Sequence, residues 1–190
     1  MALVLDATVG GSAANVYLTL ADAETYFSAR PFTSVWTAAA DADKNVALVY
    51  ATTLLDQQKW KGAKGSTPAG ALTQALAWPR EWAPTLEADA NPEFVTEYFI
   101  DLSVGYYSSL TIPQPIRDAT CELALEILRA GTTDPLTKDT TWNIAAESVG
   151  PIRTQYVDPG VRVFGIGQFQ SVMRLIQPLL RNGTQAIARV

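Results

Sequence analysis

Asp41-Ala-Asp-Lys-Asn-Val-Ala-Leu-Val-Tyr-Ala-Thr-Thr-Leu-Leu-Asp-Gln-Gln58 is the stretch that decides the fold class. Its apolar residues Ala47, Tyr50, Ala51, Leu54 and Leu55 return every three or four positions, the spacing of one helix face. Asp41 and Asp43 stand where acidic side chains suit the positive end of a helix. Working outward, Thr19 with Asp22 and Glu24 predicts a helix that runs to about Arg30 and stops before Pro31. On the other side, Pro113 and Pro115 fit the first turn of a helix. That helix carries Ile116, Ala119, Leu123 and Ile127 on one face, with Thr120, Ala124 and Leu128 beside them, and Gly131 as C-cap. Phe169, Val172, Ile176 and Leu180 mark a final short helix, with Leu175 and Leu179 beside the stripe. Pro178 is expected to kink it and Asn182-Gly183 to stop it. The fold class that follows is mainly α, a small domain of about four helices.

The remaining segments are less regular. Residues 1–18 read as an irregular or strand-like arm, and Gly62 and Gly65 interrupt regular structure after the second helix. Ala75-Leu-Ala-Trp-Pro79 reads as a short extended segment. Glu93 to Leu110 reads as a helix with Phe94, Tyr98, Leu102 and Tyr106 on one side, although β-formers are frequent there. Between 149 and 166 the period becomes two. Ile152–Val157 and Val161–Phe164 flank Asp158-Pro159-Gly160, which predicts a β-hairpin over about 151–166 with Arg153 and Arg162 projecting. The chain therefore divides into one domain, 1–181, and a C-terminal arm, 182–190.

Composition narrows the function. A chain of 190 residues with 48% hydrophobic residues suits one domain with a real core. It contains no histidine and one cysteine. Ser–His and Cys–His nucleophiles, His-containing zinc sites and CxxC redox pairs are thereby excluded. Neither GxxxxGK[ST] nor GxGxxG occurs. The expectation is a binding or structural protein, not an enzyme, with no cofactor and no metal. No apolar run approaches 18 residues and no basic segment precedes an apolar one at the N-terminus, so neither a membrane span nor a secretion signal is expected.

Several groups are candidate sites. Lys59-Trp-Lys-Gly-Ala-Lys64 offers three cations and an aromatic, which can neutralise phosphates and stack on a base. The competing reading is a helix C-terminus whose lysines suit the dipole while Trp60 enters the core. Trp60, Trp78, Pro79 and Arg80 are read as structural anchors, and Trp82 completes an aromatic corner that is either packed or a partner surface. Asp118, Glu122 and Glu126 form an acidic row that reads as a solvated helix face, and Cys121 as a small core residue. Charge is uneven: residues 149–190 carry five arginines against Asp158, while the whole chain is at −5.

Three stretches carry a family resemblance. They are Tyr17–Phe27, then Ala47–Asp56 with Trp60-Lys-Gly62, and Gln74-Ala-Leu-Ala-Trp-Pro-Arg80. Ile112-Pro113, Val149-Gly-Pro151 and Leu179-Leu180 add to them. The chain resembles the head-to-tail adaptor (connector) proteins of tailed bacteriophages, some of which carry a DnaT-like single-stranded-DNA-binding label. The segment 82–111 departs from the family as a longer insertion.

The resemblance implies a virion protein of the head–tail junction, assembled in the host cytoplasm. It implies a ring of about twelve copies, closed head to tail. Such a ring would sit under the portal protein, continue the channel for double-stranded DNA during genome ejection and dock a tail protein. On that reading Arg174, Arg181, Ile187, Arg189 and Val190 would face the portal. Arg153, Asp158, Pro159, Gly160 and Arg162 would face the tail or the channel. The alternative is a single-stranded-DNA-binding replication protein, which needs a basic groove with exposed aromatics. The net charge of −5 argues against it.

Overall fold

The structure, a computed structural model, describes residues 3–64, 74–85, 105–131, 146–149, 152–155 and 165–181. It is mainly α, as the sequence predicts. Five α-helices are described: α1 (Leu20–Ser28), α2 (Ser34–Ala38), α3 (Asp41–Asp56), α4 (Gln114–Ala130) and α5 (Gln170–Ile176). Two-residue strands β1 (Ala63–Lys64) and β2 (Arg80–Glu81) pair antiparallel, as do β3 (Ala146–Val149) and β4 (Ile152–Gln155).

Local chemistry sets the helix ends. Thr19 and Asp22 close the capping box: the Asp22 N–H donates to Thr19 Oγ1 (3.2 Å) and the Thr19 N–H to Asp22 Oδ2 (3.1 Å). Pro115 lies in the first turn of α4, and Gly131 ends the helix at φ +64°, a conformation that glycine adopts without steric cost. Pro178 does not break α5 midway. The α-helix closes at Ile176, and a 3-10 turn, Gln177–Leu179, accommodates the proline at its start.

The core forms where α4 packs against both α3 and α5. Ala47, Leu48, Ala51 and Leu55 from α3 and Ile116, Ala119, Leu123 and Ala124 from α4 are at most 1% exposed. The alanines let the two helices approach, while the leucines fill the space between. The α2 helix was not expected. It is five residues long and serves to carry Trp36 inward, where its ring centroid lies 4.3 Å from that of Phe27.

Two expectations need correction. Glu122 is buried, not solvated: it accepts from Tyr26 Oη and from Arg30 Nη2 (2.6 Å), so burying its charge is compensated. Residues 105–110 are not helical, because Tyr106 pairs by a backbone bridge with Pro84. The rest of that expected helix, 93–104, lies outside the described residues. A hairpin that was not expected, β3 with β4, is described, while of the expected one only the strand 152–155 falls among the described residues. Val149 pairs with Ile152, so β3 is an antiparallel partner of β4. The Gly150-Pro151 dipeptide between them in the sequence is a turn signal. Asp158-Pro159-Gly160 and 161–164 lie outside the described residues.

Candidate nucleic-acid interface

The lysine-rich stretch follows the end of α3 directly. The helix stops at Asp56, whose carboxylate accepts two bonds from elsewhere in the chain. Tyr17 Oη and the Ala77 N–H each donate to its Oδ1 at 2.5 Å. Burial, and then the Asp56 carboxylate, push the Tyr17 phenol well above its ordinary pKa, so it remains a hydrogen-bond donor. This pins 74–79 against the helix end. Gln74, itself buried, donates from Nε2 to the Leu76 and Pro79 carbonyls at 2.8 and 2.9 Å.

Arg80 then ties two segments together. Its Nε donates to the Lys61 carbonyl and its Nη2 to the Gly62 carbonyl, both at 2.8 Å, and Nη1 reaches the Ala77 carbonyl at 3.2 Å. The planar guanidinium spends its donors on backbone and so holds the turn at 61–62 beside 77–80. Gly62 has φ +73°, and a Cβ there would collide with the Glu81 carbonyl and meet Ala83 N at 2.8 Å and Trp82 C at 3.0 Å. Only glycine allows the two backbones this approach. On the far side of 83–85, the Tyr107 N–H donates to the Ala83 carbonyl (2.9 Å) and the Thr85 N–H to the Gly105 carbonyl (3.0 Å). On the near side, the Lys61 N–H donates to the Leu179 carbonyl (2.8 Å) and the Arg181 N–H to the Lys59 carbonyl (2.7 Å).

Four chain segments thus meet in one corner: 56–64, 80–85, 105–107 and 179–181. Together they carry Lys59, Lys61, Lys64, Arg80 and Arg181 against the two carboxylates of Asp56 and Glu81. Lys59 and Lys64 are exposed, as is Arg181. Such a surface suits a polyanion in contact with it.

The candidate residues separate by burial. Trp60 and Trp78 are 4% and 1% exposed, in a T-shaped contact with centroids 5.6 Å apart. Pro79 is buried and Arg80 half-buried. Trp82 is 56% exposed and Tyr106 half-buried. Arg181 enters the basic corner through its backbone, and Arg174 is exposed on α5. Arg153 lies in β4. Asp158, Pro159, Gly160, Arg162, Ile187, Arg189 and Val190 lie outside the described residues. The sequence reading did not find Tyr106 as part of the corner, because it had placed that residue on a helix face. Cys121 is buried, and burial pushes its thiol up, so it behaves as a core residue.

Among the described residues no group of acidic, cysteine or histidine side chains could hold a metal ion. No helix among them is long and apolar enough to cross a membrane.

The family described as "Putative DnaT-like ssDNA binding protein" matches residues 1–190. No curated protein and no solved structure matches the chain. The family match overturns the head-to-tail adaptor function expected from the resemblance and favours the alternative given with it. The portal, tail and ring partners came only with that resemblance, and nothing in the match speaks for them. A net charge of −5 does not exclude a nucleic-acid partner. A bound strand responds to charges within about 10 Å at 0.1 M salt, not to the sum over the chain.

Proposed function

This chain belongs to the DnaT-like ssDNA-binding family, and on that footing we propose that it binds single-stranded DNA at the corner built from 56–64, 80–85, 105–107 and 179–181. It acts as a binding protein and not as an enzyme. The observation that carries the reading is the family match over residues 1–190. The corner supports it: five cations stand there against two carboxylates in a chain whose net charge is −5. Phosphate neutralisation by such side chains releases counterions, so binding is salt-dependent. Lysines on a turn held by Arg80 and Gly62 are presented on fixed backbone, which lowers the ordering cost on binding.

Titration of a labelled oligothymidylate with the full chain, followed by anisotropy at several salt concentrations, tests the reading. Binding whose logarithm falls linearly with the logarithm of salt is the expected result. Absence of binding at low salt rejects it.

A further inference from the structure

Of the four tryptophans among the described residues, Trp36, Trp60 and Trp78 are 1–4% exposed and Trp82 is 56% exposed. Trp82 thus presents a large aromatic surface to solvent. The backbone at Trp82 is unusual as well. Its φ is +58°, a left-handed conformation that is a genuine outlier for a bulky residue. Such conformations persist where surrounding structure fixes them, and they cluster at functional sites. Here the fixing is visible. Gly62 lies against the backbone of 81–83 on one side, and Tyr107 bonds the Ala83 carbonyl on the other.

The ring is supported but not covered. Trp82 and Tyr106 meet in a T-shape, centroids 5.6 Å apart and planes at 85°. Whichever ring contributes the edge, Tyr106 leaves at least one face of the indole open. The pairing of β1 with β2 sets the lysine turn beside 80–81, so Trp82 follows Arg80 and Glu81 at the edge of that turn, and the lysine charges suit the phosphates on either side of a stacked base.

We propose that Trp82 is the base-stacking group of this site, taking one unpaired nucleobase on its open face while the lysines of 59–64 hold the flanking phosphates. The inference rests on the single-strand reading above and deepens it: the ligand is recognised as an unpaired base, not only as a polyanion. In a duplex both faces of a base are already stacked on their neighbours, so Trp82 discriminates against double-stranded DNA. Phe32 is the useful contrast. It is 84% exposed, also at positive φ, but each arginine near it is balanced by a carboxylate, Arg129 by Glu126 and Arg30 by Glu122. The Trp82 corner differs in its charge balance, five cations against two carboxylates.

The test compares wild type, Trp82→Ala, Trp82→Phe and Phe32→Ala as full-length proteins, with oligothymidylate and with an abasic strand of the same length as probes. Trp82→Ala should bind oligothymidylate roughly 5- to 150-fold more weakly, the span of base–aromatic stacking. Trp82→Phe should retain most of the affinity, and Phe32→Ala all of it. Wild type should prefer the base-bearing strand, and Trp82→Ala should bind both strands alike. Equal wild-type affinity for the two strands, or unchanged affinity in Trp82→Ala, overturns the stacking role while leaving DNA binding intact. No wild-type binding to either strand overturns both readings.

Discussion

Two aromatic pairs in this protein share almost one geometry. Trp60 with Trp78 and Trp82 with Tyr106 both cross at 5.6 Å between centroids, with planes at 74° and 85°. The first pair is in the core and the second is at the surface. Edge-on contact is what ring quadrupoles favour anywhere, so it does not tell a packing anchor from a ligand platform. What separates them is which backbone they hang from. Trp78 is drawn inward with 74–79, which Asp56 and Gln74 pin to the end of α3. Trp82 stands four positions later, on backbone clamped between Gly62 and Tyr107.

The contrast is breakable by mutation. Trp78→Ala should cost about 3–5 kcal/mol in a denaturant titration, whereas Trp82→Ala should cost less than about 1 kcal/mol. Comparable losses would mean that both pairs are structural. Next in size is Gly62→Ala, which puts a Cβ into the Glu81–Ala83 backbone at φ +73°. A loss of about 1–3 kcal/mol is expected, together with weaker DNA binding, since the lysine turn and Trp82 must move apart. Retained stability and binding would show the close approach to be dispensable.

Tyr17→Phe sharpens the inner half. At neutral pH it should cost about 1–2 kcal/mol by removing the bond to Asp56. The native phenol keeps its proton where the unfolded phenol, with a pKa near 10, loses it. Wild-type stability should therefore be undiminished below about pH 10 and fall as pH rises beyond it, while the variant lacks this component. Parallel stability–pH curves for the two proteins would contradict the burial argument. Smallest in stability is the joint substitution of Lys59, Lys61 and Lys64 by Ala, at about 0.5 kcal/mol per site or less. Its signature lies in binding. The slope of log affinity against log salt should shrink by roughly 0.7 for each phosphate contact removed, and an unchanged slope would place the DNA elsewhere.

How far the sequence was legible follows from how local each signal is. The capping box at Thr19 and Asp22, the stripe of α3, and the proline start and glycine end of α4 all depend on residues within a few positions of each other. They could be read directly. Glu122 could not, because Arg30 and Tyr26 come to it from 92 and 96 positions away. The α2 helix has too few residues to show a period. The pairing of β3 with β4 was missed because strand alternation alone does not say on which side β4 finds a partner. At the candidate site, the lysines and Trp82 were visible as residue types. Their assembly was not, since it depends on Arg80 reaching 61–62 and on Tyr106 and Arg181 arriving from distant parts of the chain.

The central claim is a location: single-stranded DNA lies on the corner that carries Trp82. Ultraviolet crosslinking of bound oligothymidylate to the full-length protein, with the adducts mapped by mass spectrometry, tests it directly. The account predicts adducts within 80–85 or 105–107 and none at Phe32. Adducts at Phe32, or on peptides remote from all four segments of the corner, would contradict it.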